Sequence, residues 1–180
     1  MEKTVLLLIM ITLFTLQDKP MFVQITKLSS HLSIGRGNSL YSNIKTEQYL
    51  LFYNVPELKG NLGNLSYEGD INLEFILENS KTTYVAGLVP MFRYDMEFLN
   101  TDLFIKGGIG FNFINKHDIG NRNIGGHFIF SDMISLGTRL FNTENFSVEV
   151  SYLLRHISNA GFFKSNEGFN SQYLVISLII

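Results

Sequence analysis

The stretch Arg155-His-Ile-Ser-Asn-Ala-Gly161 carries the pair of side chains best suited to chemistry in this chain. His156 and Ser158 stand two residues apart, a spacing that turns both to one face of a strand. A histidine beside a serine offers acyl transfer: the imidazole takes the hydroxyl proton and the oxygen attacks an ester carbonyl. The same two residues also fit a plainer role, as polar side chains at a membrane–water interface bonded to water. The element that carries them, and the medium it faces, must separate the two.

Beyond residue 20 the pattern is period-2 alternation, with no convincing helical period. Eight strands are expected at about 22–34, 47–56, 70–78, 83–94, 102–114, 125–140, 146–158 and 171–180, divided by Gly, Asn, Asp and Ser clusters. The first two alternate least clearly. In the third, Ile71, Leu73, Phe75 and Leu77 oppose Asn72, Glu74 and Glu78; in the fifth, Leu103, Ile105, Ile109, Phe111 and Phe113 oppose Lys106, Gly108, Gly110 and Asn112. In the seventh, Phe146, Val148, Val150, Tyr152 and Leu154 form an apolar series that His156 and Ser158 continue, opposite Ser147, Glu149, Ser151 and Arg155. In the eighth, Leu174, Ile176 and Leu178 form the apolar series, and Asn170 continues it backwards.

Charged residues in mid-strand on one face and apolar residues on the other suit a barrel with a polar interior in an apolar medium. Strands of ten residues or more match a tilted membrane strand and exceed the usual length in globular sheets. The expected fold is therefore all-β, an eight-stranded antiparallel transmembrane β-barrel of outer-membrane type; a soluble lipocalin-like barrel or sandwich is the alternative. Composition agrees. Apolar residues make up 46% of the chain and charged residues only 17%, below the quarter or so usual in soluble domains. No apolar run after residue 20 is long enough for a membrane helix, so a membrane location requires a closed barrel. Lys3 followed by the apolar run Val5 to Leu16 reads as a secretory leader over residues 1–17, leaving 18–180 as one barrel domain.

With both termini periplasmic, the seventh strand runs outward and its external loop spans about 159–170, which sets His156 and Ser158 at the level of the outer leaflet. The net charge of −2 points to no nucleic-acid partner, and the absence of cysteine removes disulfides and thiolate metal sites. His31, His117 and His127 lack metal-ligand spacing and read as loop or lumen residues. Arg139 and Arg155 are inward-facing and expected to balance Glu149 and other lumen carboxylates. Lys116, Arg122 and Lys164 fall in external loops, within reach of lipid phosphates.

The run His156-Ile-Ser158-Asn159-Ala160-Gly161, followed by Asn166-Glu167-Gly168-Phe169-Asn170, resembles the lipid A 3-O-deacylase (PagL) family. Phe104-Ile-Lys-Gly-Gly-Ile-Gly110, Asn123-Ile-Gly-Gly126 and Phe130-Ser-Asp132 look like the family's preceding strands, so the resemblance covers about residues 70–180. It implies a bacterial outer-membrane barrel bearing an outward-facing Ser-His-Glu triad, which removes the ester-linked 3-position acyl chain of lipid A without metal or organic cofactor. Ser158 would be the nucleophile and His156 the general base. The oxyanion donors would come from the Asn159–Gly161 turn, the Gly161 amide being the most natural, with help from Asn166. Lipid A of lipopolysaccharide is the implied partner, and a homodimer is compatible with it. The chain departs from the family at the acid, where Asn170 stands. Glu167 is either a substitute acid or a solvated loop charge. A catalytically weak or inactive barrel with a lipid-binding or structural role is the alternative function.

Overall fold

The computed structural model describes residues 30–55, 60–62, 64–79 and 81–180. Eight long strands form the wall: β1 (His31–Ser39), β2 (Glu47–Asn54), β3 (Leu65–Glu78), β4 (Lys81–Phe98), β5 (Thr101–Ile114), β6 (Phe128–Asn142), β7 (Ser147–Ser158) and β8 (Phe169–Ile179). Each pairs antiparallel with its chain neighbour, and β1 pairs with β8 from His31↔Ile179 to Ser39↔Ser171, which closes the barrel. A short strand, Gly60–Leu62, extends the sheet against the start of β3. Closure leaves none of these eight strands with an open edge, the condition for a sheet to lie in hydrocarbon.

The expected strands are present with shifted ends. The first differs most: the strand covers 31–39 and runs through Gly35-Arg36-Gly37-Asn38, a composition that reads locally as a turn. There the backbone comes close to β8, and a Cβ at Gly37 would lie 2.2 Å from the Gln172 carbonyl. Residues 22–29 of that expected strand, and the expected leader, lie outside the described residues. β4 reaches Phe98 and meets β5 through Leu99 and Asn100, both at positive φ (50° and 60°) as a two-residue hairpin requires.

Alternation sorts the side chains as expected. Leu32, Ile34, Ile71, Leu73, Ile105, Ile109, Ile134, Leu136, Leu174 and Ile176 point outward and are exposed. This apolar belt is flanked by aromatic residues at both ends: Tyr53, Tyr94, Phe98, Phe141 and Phe146 near one rim, and Tyr84, Phe111, Phe113, Phe128 and Phe130 near the other. A soluble monomer does not expose a belt of this extent; a bilayer covers it.

The lumen is packed and is not a channel. Leu50, Phe52, Val89, Met91, Met133, Leu153, Tyr173 and Val175 fill one buried layer. Charged pairs fill others. Arg93 holds Glu149 through two hydrogen bonds of 2.8 and 2.7 Å, and Arg139 reaches the same carboxylate at 3.2 Å. Arg155 pairs with Glu74, and Lys106 with Glu68 at 3.1 Å. The inward arginines thus balance lumen carboxylates, as their parity suggested. At the rim nearer Ser158, Ile44 from the β1–β2 loop and Ile119 and Ile124 from the β5–β6 loop insert among Ile76, Val85, Ile114, Ile129, Ile157 and Phe169 as an apolar plug.

Two substitutions test this arrangement. Glu149→Ala removes the carboxylate that Arg93 and Arg139 share, leaving buried Arg93 with Asp95 alone, and is expected to lower unfolding free energy by about 3 kcal/mol, measured by urea titration in micelles. Leu136→Arg, on the outer face in mid-strand, is expected to cost about 2–4 kcal/mol in a bilayer; in a soluble barrel an exposed position would tolerate it.

Candidate active site

β7 delivers His156 and Ser158 to the outer face at the plugged rim, in series with Tyr152 and Leu154. Its partner strands complete a row across the sheet. His156 is directly opposite Asn170 on β8 and directly opposite Asp132 on β6, so Asp132, His156 and Asn170 stand side by side. They line one shallow outer recess with Leu40, Ile134 and Leu154.

His156 and Asn170 are joined: Nδ1 of the ring lies 2.6 Å from Asn170 Oδ1. The amide is fixed from its other end, because Asn170 Nδ2 donates to the Tyr41 hydroxyl at 2.9 Å. With the nitrogen committed to Tyr41, the oxygen faces His156 and accepts from its Nδ1–H. In that arrangement Nε2 carries the lone pair. Tyr41 in turn lies under the Arg122 guanidinium, 4.3 Å from ring centroid to Cζ, and contacts Phe169. Gly168, at φ +62°, packs against the imidazole; a Cβ there would lie 2.5 Å from Cε1 and 3.2 Å from Nε2. Position 168 must therefore be glycine for the ring to keep its place.

Past Ser158 the chain turns sharply through Ala160 (φ 52°) and Gly161 (φ 85°). Asn159 is the hub of this turn and is fully buried. Its Nδ2 donates to the carbonyls of Ile124 (2.6 Å) and Ser165 (2.5 Å), and its Oδ1 accepts the Gly161 amide at 2.8 Å. Its own amide donates to Asn166 Oδ1 at 2.9 Å. The Gly161 N–H is thus held by Asn159, and the amide directed at Ser158 Oγ is that of Ala160, at 3.4 Å. Phe130 sits across from Ser158 on β6 and stacks on Phe162 of the turn, centroids 5.7 Å apart.

Glu167 stands apart from His156: its carboxylate accepts the Asn123 amide, and its backbone N–H donates to the Asn123 carbonyl at 3.1 Å. Arg122 donates to the carbonyls of Gly168 and Glu167. It works as a clamp between loops. His117 and His127 are in ring contact, 4.1 Å between centroids. Among the described residues no three His, Asp or Glu side chains converge as a metal site would.

Three participants were not singled out from sequence as parts of the site. Tyr41 left no local signal, and Gly168 stood in the Asn166–Asn170 run without a role of its own. Asp132 did, since it interrupts the outward series Phe128, Phe130, Ile134, Leu136 with a charge.

A closed, packed barrel with an apolar outer belt and a Ser/His pair on that outer surface defines an outer-membrane barrel with a lipid-facing site. The chain belongs to the lipid A 3-O-deacylase (PagL) family, whose model matches residues 47–178. The lipid A deacylase PagL of Pseudomonas aeruginosa is 30% identical over 91 residues, a stretch that spans 51% of this chain and 50% of that protein. The crystal structure of the outer membrane enzyme PagL superposes with a TM-score of 0.63 at 22% identity, covering 82% of this chain and 97% of that one. Neisserial surface protein A superposes with a TM-score of 0.55 at 11% identity, over 84% and 94%. These two likenesses bear on the fold.

Asn159→Ala tests the turn. It strips partners from two carbonyls and one amide, at a cost of about 1–3 kcal/mol. Hydrogen exchange in residues 159–168 is expected to accelerate by tenfold or more, while the strands keep their protection.

Proposed function

We propose that this protein is an outer-membrane serine esterase that removes an ester-linked acyl chain, the 3-O chain, from lipid A. The observation that carries this reading is the Tyr41–Asn170–His156 chain of hydrogen bonds, which presets His156 as a base on the lipid-facing surface. Family membership supplies the substrate class.

Alternate residues on a strand lie about 6.6 Å apart along its axis, so Ser158 Oγ must rotate toward His156 Nε2, whose ring Asn170 and Gly168 hold in place. As Ser158 Oγ attacks the ester carbonyl, its proton passes to His156 Nε2 and the carbonyl electron pair moves onto oxygen. The Ala160 amide, and Asn166 through its Nδ2, are the donors suited to that oxyanion; the Gly161 amide joins them if Asn159 releases it. Collapse breaks the ester C–O bond, and His156 returns its proton to the departing sugar oxygen. Water then repeats the sequence on the acyl-serine and frees the fatty acid. The outward Phe130 and Phe162 offer an apolar surface beside Ser158 for the hydrocarbon chain.

An Asp-to-Asn change in a serine protease triad costs about 10⁴ in rate, chiefly through the wrong tautomer. Here Tyr41 holds the amide nitrogen, which supports the productive tautomer and a working enzyme despite Asn170. The competing reading, a barrel that binds lipid without turnover, draws on the missing acid.

Mass spectrometry of lipid A incubated with purified protein in detergent separates them. Ser158→Ala and His156→Ala are expected to cut acyl release by about 10³-fold or more. Tyr41→Phe lets the Asn170 amide rotate and is expected to lower turnover about 10- to 100-fold in a folded barrel. Wild-type protein that leaves lipid A intact would sink the enzymatic reading.

A further inference from the structure

We propose that Asp132 supplies the negative charge that stabilises protonated His156, the part of the acid's role that an amide at position 170 cannot fill. The inference rests on the deacylase reading and extends it. In a Ser-His-acid triad the acid does two things: it orients the imidazole, and its charge favours the imidazolium that forms as serine gives up its proton. Asn170 performs the first. Its Oδ1 takes the Nδ1 proton, and Tyr41 fixes its orientation. It is neutral, so the second falls to another group.

Asp132 is placed for it. The β6–β7 register sets it directly opposite His156, on the flank away from Asn170. Side chains so paired have Cβ atoms about 4.5–5.5 Å apart. The residue is exposed and outward, in line with Phe130 and Ile134, and it lines the same recess as His156 and Asn170. A carboxylate among lipid-facing apolar side chains is costly without a function or a partner. β5 offers it none, since Ile109 is the residue opposite.

The other charges around His156 are engaged elsewhere. Arg155, its neighbour on β7, faces the lumen and Glu74. Arg122 lies over Tyr41 and on the loop carbonyls, and Glu167 lies on the Asn123 amide. Lys164 is exposed in the turn beyond Gly161. From β8 the facing group is Asn170. Asp132 is therefore the carboxylate in register with the base. It acts through space while the proton moves between Ser158, His156 and the leaving oxygen. The acid's two functions are thus split between two strands that flank the base.

Full-length protein in micelles, assayed on detergent-dispersed lipid A across pH, tests this, with heat-dependent electrophoretic mobility as the check on folding. Asp132→Asn, which keeps the shape, is expected to lower kcat about tenfold. The loss is expected in kcat with KM little changed, because Asp132 acts on the imidazolium that forms during turnover. Asp132→Glu is expected to keep most of the rate. In an Asn170→Glu background, where a carboxylate again sits on the ring, Asp132→Asn is expected to cost markedly less. A loss that falls on KM with kcat unchanged, or an equal loss in both backgrounds, overturns the proposal. Wild-type protein whose activity equals that of Ser158→Ala overturns the deacylase reading itself, which is told apart by wild type alone.

Discussion

Hydrocarbon offers no partner to a backbone N–H or C=O, so a sheet that lies in it has to close on itself. The pairing of β1 with β8 meets that demand, and nearly everything else in the molecule follows from it. Once the barrel is closed, each residue of the wall has only two choices, lumen or lipid, and its neighbour in sequence takes the other. Arg155 pointing in to Glu74 and His156 pointing out to Asn170 are two results of one geometric constraint. The same closure fixes register across strands, and register is what gathers Asp132, His156 and Asn170 into a row although they come from three different strands.

Chemistry on the outer wall of a barrel lacks the enclosing cleft that usually orients catalytic groups. This chain replaces the cleft with its rim. The β1–β2 and β5–β6 loops fold inward and anchor Ile44, Ile119 and Ile124 among the apolar side chains of the lumen. From that base they send Tyr41 and Arg122 outward to the site, while Asn159 ties the turn after Ser158 to the Ile124 carbonyl. The plug and the site are thus one construction, and the rigidity of the buried half is lent to the exposed half.

Charge is distributed by the same inside–outside rule. The lumen holds its ions in close pairs, Arg93 and Arg139 on Glu149, Arg155 on Glu74, Lys106 on Glu68, where each desolvated charge has a partner within hydrogen-bond range. The outer face carries few. Arg36 and Glu47 offset each other at 3.6 Å, and Asp132 stands in the row beside His156. An outward charge in an otherwise apolar series is a departure from the pattern that the lipid imposes, and departures of that kind concentrate where a protein does something.

Period-2 alternation is a local property, so the sequence alone determined the barrel class, most strand positions and the outward placement of His156, Ser158 and Asn170. It also held the inward direction of Arg139 and Arg155, because parity needs no knowledge of neighbours. Its errors lay where local composition misleads. Gly35-Arg36-Gly37-Asn38 reads as a turn, yet it is strand because β8 passes too close for side chains. Tertiary structure decided the partners. Tyr41 lies 129 residues from Asn170 in the chain, and no spacing rule connects them. The attachment of Arg122 to the Gly168 carbonyl and of Glu167 to Asn123 depends on how the β5–β6 and β7–β8 loops meet. So does the identity of the charge beside His156: Asp132 is visible as an oddity in its own strand, but only the register of β6 against β7 places it opposite that ring.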